Sequence, residues 1–195
     1  MGEHRELGAR FEIEAGWEIV AGYPDEPPIV SSPIVIAEIT PRAKVDVRGA
    51  AVPVSGLEGA VVVASIASDW ALVFGGPGDE RELLPSLEAA AGNGAMVTDA
   101  THLFAGFALV GSELDALLAR LTAFDPSSLP VGAAAGAPIL DVPAILLRRD
   151  TALPVIEAYV GIEFARFAWS GIFQTATELG GAPVGWSSLR AAGWS

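Results

Sequence analysis

The order in which two hydrophobic periods follow one another constrains this chain most. Short apolar runs of strand length recur near residues 60–66, 70–74, 96–98, 104–110, 131–137, 144–148 and 155–160. Helical periodicity marks three segments between and after them. Leu83, Leu84, Leu87, Ala90 and Ala91 share one helical face, as do Leu114, Leu117, Leu118 and Leu121, and again Phe164, Phe167, Ala168, Gly171 and Ile172. Strict alternation of strand and helix would build a doubly wound parallel sheet. Here hairpin-like pairs of strands interrupt the alternation, which predicts an α+β fold: mixed, mostly antiparallel sheets with helices packed on one side.

Local signals refine the outline. Ile34, Ile36, Val45 and Val47 alternate around Pro41, predicting a hairpin that closes at Arg48 and Gly49. The Gly75, Gly76, Pro77, Gly78 cluster predicts a break before a helix that ends at Gly92. Pro85 sits either in that helix's first turn, near Leu84, or inside a longer helix from Asp79 that it kinks. Ser112 and Asp115 resemble a capping box for the leucine helix. A last helix runs from about 163 to 178 and stops at Gly180 and Gly181; Trp169 and Phe173 lie beside its main apolar face, where they can meet a partner. Residues 1–33 carry seven acids against two arginines and a Pro-rich run at 24–28, predicting an extended acidic arm ahead of a single α+β domain over 34–195 with room for two small lobes.

Charge excludes several classes of partner. With 24 acidic and 11 basic residues the net charge is −13, and Lys44 is the only lysine. Such a field repels phosphate backbones and anionic membrane surfaces, so neither nucleic acid nor membrane is an expected partner. At 51% hydrophobic and 18% charged, with a mean hydropathy of +0.46, the chain predicts apolar surface buried against another protein. No cysteine is present, which removes disulfides, thiolate metal sites and Cys nucleophiles. The charged N-terminus leads into no apolar segment and no run reaches membrane-spanning length, so a cytoplasmic protein is expected.

Few residues offer chemistry. The glycine cluster lacks the Lys-Ser/Thr that completes a phosphate loop and is read as a turn. With His4 in the arm, His102 is the remaining candidate general base; with Asp99 it forms either an acid–base pair or half of a metal site, which no second His or Cys completes. The alternative is a turn in which Asp99 and its neighbours bond to backbone. Asp141, between two strand-like runs, can accept a bidentate donor such as the amidine-like edge of a pterin, or serve as a solvated turn residue.

The order of these segments resembles the gamma subunit of heterotetrameric sarcosine oxidase and, more broadly, the folate-binding domain of glycine-cleavage T-proteins (aminomethyltransferases). The likeness rests on residues 38–49, on Ser68, Asp69 and Trp70, and on Val97 to Gly111 with Asp99 and His102 followed by the leucine helix. It continues through Phe124, Asp125 and Pro126, residues 129–132, residues 156–169, and Gly181, Pro183, Gly185, Leu189 and Arg190, covering about residues 34 to 190. It implies a T-protein-like fold with tetrahydrofolate as the associated cofactor. Where T-proteins carry a Gly-Gly-Ile-x-Asp-Asp segment near the folate, this chain has Ala137, Pro138, Ile139, Leu140, Asp141 and Val142, and it stops at Ser195, before the barrel that helps close that site. The resemblance thus implies an auxiliary subunit that itself binds no cofactor, with flavin, NAD and folate on flavoprotein and folate-domain partner subunits, or alternatively a tetrahydrofolate-binding methyl- or aminomethyl-transferase-like protein.

Overall fold

The computed structural model describes residues 2–49, 62–91, 94–149, 151 and 153–194. A short helix α1 (Gly2–Glu6) leads into a hairpin of β1 (Arg10–Glu14) and β2 (Trp17–Gly22), followed by a single 3-10 turn at Ile29–Ser31. Next come β3 (Val35–Glu38), β4 (Lys44–Arg48), β5 (Val62–Ala67), β6 (Trp70–Phe74), α2 (Glu80–Ala91), β7 (Met96–Asp99) and β8 (Phe104–Val110). The chain continues through α3 (Leu114–Leu121), β9 (Ala134–Ile139), β10 (Val142–Arg148), β11 (Val155–Gly161), α4 (Ala165–Glu178), β12 (Ala182–Pro183) and α5 (Trp186–Ala191).

Two larger sheets face each other. One has six strands in the order β12-β3-β8-β11-β10-β9, antiparallel except for the β12–β3 pair; the other has four, β5-β6-β4-β7, all antiparallel. Alternation along β3 sends Ile34 and Ile36 to one face and Val35, Ala37 and Ile39 to the other. The first face packs under α3 and α4 with Phe107, Leu109, Ile156 and Val160. The second joins Leu72 and Phe74 of the four-stranded sheet, whose outer face carries Val45, Val47 and Val73 against Leu83 and Leu87 of α2. Because β8 and β11 are covered on both faces, their sequences read as continuous apolar runs. This is the mixed, mostly antiparallel α+β architecture that the pattern predicts, each large sheet carrying its α2 or α3–α4 layer on one side.

Several local expectations are corrected. β3 and β4 do not form a hairpin: they belong to different sheets, because residues 39–43 cross from one to the other instead of folding back. No capping box forms at α3; Glu113 is its N-cap, without a side-chain bond, and its amide donates to the Pro33 carbonyl at 3.0 Å. Pro85 lies within a continuous α2, on its exposed side. Gly92 and residues 60 and 61 lie outside the described residues.

The segment 2–33 is not a bare extended arm. Its Pro-rich stretch is free of helix, but the hairpin pairs five residue positions and buries Ile19, Val20 and Ala21. Glu26 then clips the segment to the C-terminal region, accepting from the amide of Gly185 at 2.8 Å and from the Ser188 hydroxyl. Burying those apolar side chains contributes about 1.5–3 kcal/mol for each large residue, more than the mutual repulsion of exposed, solvated acids removes. On α4, Trp169 is core (3% exposed) and Phe167 is the exposed one at 56%, the reverse of the expected helical face. Among the described residues no helix is long and apolar enough to cross a membrane.

Candidate functional site

Where residues 39–43 cross between the sheets, they carry Arg42 and Lys44 into the interior. Arg42 is fully buried and donates its Nη1 to both oxygens of Glu157, at 2.7 and 2.9 Å, and its Nε to the Gly75 carbonyl. Glu157 follows Val155 and precedes Tyr159 on the β11 face that meets the other sheet, and it also accepts from Arg149 and, at 2.6 Å, from the Tyr159 hydroxyl. Burial works against the Arg42 charge, but the adjacent Glu157 more than offsets it and holds the guanidinium above its ordinary value. Burial first, and then Glu157, drive the Tyr159 phenol well above its usual range. Lys44 donates to the carbonyls of Thr40, Arg42 and Thr101 at 2.7, 2.8 and 3.2 Å, and burial pushes it down to about 7.

This network backs the wall of a cleft of about 570 Å³ at one end of the sheet–sheet interface. The Tyr159 ring, stacked on Phe74 at 4.5 Å, lines it together with Phe104, Pro138 and Ile145 from the six-stranded sheet. The other sheet supplies Trp70 and Arg48: Trp70 donates its Nε1 to Asp46 at 2.7 Å, and the Arg48 guanidinium lies 4.3 Å over the Trp70 ring. Asp141 stands on the cleft's edge as the second residue of the two-residue turn joining β9 to β10. Leu140 and Asp141 have φ of 50° and 63°, the left-handed pair of a tight hairpin turn, here without a glycine. Leu140 is held in that conformation by its amide's 2.7 Å bond to the Leu121 carbonyl and by α4, where Gly171 leaves its side chain room. The cleft thus offers aromatic and aliphatic walls with, among the described residues, two charged groups, Arg48, which pairs with Asp46 at 2.7 Å, and Asp141, an arrangement suited to a flat, largely apolar ligand with a polar edge.

The other two sequence candidates fall elsewhere. Asp99 accepts from the Thr101 amide at 2.9 Å, while the His102 ring stacks on Trp17 at 4.5 Å and 20°. The carboxylate is committed to the backbone and the imidazole to the N-terminal hairpin, so the pair is a turn between β7 and β8, and neither residue lines the Asp141 cleft. No group of three or more His, Asp or Glu suited to a metal occurs among the described residues. Sequence reasoning missed Arg42, Glu157 and Lys44. A signal existed: Glu157 is the one charge inside the apolar run of β11, and a charge fully buried in such a run needs a partner.

No protein-family model matches the chain, and no curated protein sequence matches it. Solved structures do. The glycine cleavage system aminomethyltransferase T of Bartonella henselae superposes with a TM-score of 0.77 at 18% identity, over 98% of this chain and 60% of that one, so this chain spans three fifths of that protein's length. A chain of the heterotetrameric sarcosine oxidase of Corynebacterium sp. U-96 superposes with a TM-score of 0.62, also at 18% identity, over 77% of this chain and 88% of that one. The first match takes in the N-terminal segment that the sequence resemblance, confined to about residues 34 to 190, leaves out. At this level of identity the likeness establishes architecture: the chain has the fold of aminomethyltransferase T, shared with a chain of a heterotetrameric sarcosine oxidase.

Proposed function

We propose that this chain is an auxiliary subunit of a multisubunit one-carbon oxidoreductase of the sarcosine-oxidase type, contributing to assembly rather than chemistry, in the cytoplasm. Flavin, NAD and folate would reside on its flavoprotein and folate-domain partners. The observation that carries the reading is the proportion of the match: the likeness spans 88% of a chain drawn from a heterotetramer. Exposed apolar side chains support it. Leu103 and Ile162, joined by a backbone hydrogen bond of 2.9 Å, are 56% and 44% exposed, in a chain whose charge of −13 otherwise keeps it solvated. Affinity purification of the tagged chain from its native host is expected to retain a larger flavin-containing protein at low and moderate salt. A lone chain at every salt concentration overturns the proposal.

A second reading, tetrahydrofolate binding by a methyl- or aminomethyl-transferase-like protein, is favoured by the cleft whose edge holds Asp141. Calorimetry with tetrahydrofolate is expected to give a heat that Asp141→Ala diminishes. No heat from the intact chain removes this reading and leaves the subunit reading standing.

A further inference from the structure

On the opposite, helix-covered face of the six-stranded sheet lies a second cleft, of about 490 Å³, between α1, the end of β3 and the start of α4. Two of its lining groups are orphans: Glu38 Oε2 and Trp169 Nε1 are both buried, and among the described residues neither has a hydrogen-bond partner. Glu38 alternates with Ile34 and Ile36 along β3, so its side chain falls on the helix side, where its other oxygen accepts from the Thr40 amide at 3.1 Å. The Trp169 indole packs against the His4 ring at 4.3 Å, and His4 in turn pairs through Nδ1 with the Tyr23 hydroxyl at 2.6 Å. A buried carboxylate oxygen and a buried indole N–H each cost about 1–3 kcal/mol when unpaired. An acceptor at one place and a donor at another, in one cleft, describe the complement of a ligand carrying both.

We infer that this cleft binds a small amino-acid zwitterion, its ammonium on Glu38 and its carboxylate on the Trp169 indole N–H and Arg166. Arg166 stands at the rim and, among the described residues, donates only its Nε, to Glu3 at 3.2 Å. Glu3 and Glu6 also line the rim, so a ligand with net negative charge is repelled and the cationic end is drawn inward. His4 adds no competing charge near neutrality, since burial lowers it to about 4. Phe107 and Ile162 give an apolar wall for an aliphatic substituent. The site is separate from the Asp141 cleft and does not depend on the subunit reading.

Isothermal titration calorimetry on the full chain with alanine and with leucine tests the inference, with methylamine and acetate as the two half-ligands. At least one zwitterion is expected to bind in a 1:1 ratio, and neither half-ligand to match it. Glu38→Gln is expected to weaken binding about tenfold or more, through loss of a charge-assisted bond. Trp169→Phe keeps the ring but removes the N–H and is expected to weaken it several-fold; Asp141→Ala, in the other cleft, leaves it unchanged. Near-UV circular dichroism verifies that each variant is folded. No heat from either zwitterion, acetate binding as well as they do, or binding indifferent to both Glu38→Gln and Trp169→Phe overturns it.

Discussion

Glu157 receives hydrogen bonds from three side chains in a place no water reaches, so its removal strands two guanidinium groups and a phenol. Breaking a buried pair of this kind costs about 3–5 kcal/mol. Glu157→Gln and Arg42→Ala are each expected to lower unfolding free energy by that order in urea titrations, and Tyr159→Phe by about 1 kcal/mol. Titration adds a second test. His4 is lowered from 6.5 to about 4 in the folded chain, so the unfolded chain binds its proton first as pH falls. The His4 contribution to stability is therefore fully present above pH 6.5 and is lost between 6.5 and 4, about 3 kcal/mol across the window. Lys44, lowered from 10.5 to about 7, acts in the same direction at the alkaline end, with stability rising from pH 7 towards 10.5. Melting temperature followed against pH is expected to lose the acidic slope in His4→Gln. At this scale Glu157 left a signal, a charge in an apolar run, that sequence reasoning missed. For Asp99 and His102 the sequence left an acid–base pair and a turn both open, because closeness in sequence says nothing of where a short carboxylate bonds; in the structure Asp99 accepts from the Thr101 amide.

Elements were legible where period and burial agree. The four leucines of α3 are all buried, and β8 and β11 lie where their apolar runs place them. Connections were less legible, because what fixes them is contact with distant backbone. Gly111, at φ 141°, passes so close to Pro33 that a Cβ would lie 2.1 Å from the Pro33 carbonyl oxygen. That approach, rather than the apparent capping box, sets the start of α3. Gly111→Ala is expected to destabilise by about 2–4 kcal/mol in chemical denaturation, since both the dihedral and the backbone contact must give. The turn at Leu140 and Asp141 makes the opposite prediction. Asp141→Gly relieves one left-handed residue and is expected to leave thermal stability equal or higher by about 1 kcal/mol, whereas Asp141→Val lowers it.

For the molecule as a whole, the α+β class and the resemblance in segment order carried through to the fold, while the N-terminal segment did not. Its acids and prolines announce solvent, yet its hairpin covers Trp186 and Leu189 with Ile19 and sets Trp17 against His102. A chain lacking residues 1–22 is expected to melt at markedly lower temperature and to bind a hydrophobic dye, which thermal scans with and without that segment decide. The six-stranded sheet holds a further consequence in its strand order. β4 to β7 lie within residues 44–99 and can close as soon as that stretch exists, but β3 needs β8, some seventy residues later, and β12 at residues 182–183. During synthesis Val35–Glu38 therefore leaves the ribosome with no partner on either edge and stays so until about seventy more residues have followed. The interval before β8 emerges is when this protein is most exposed to mispairing, and a chaperone that holds extended apolar strands would find its substrate there.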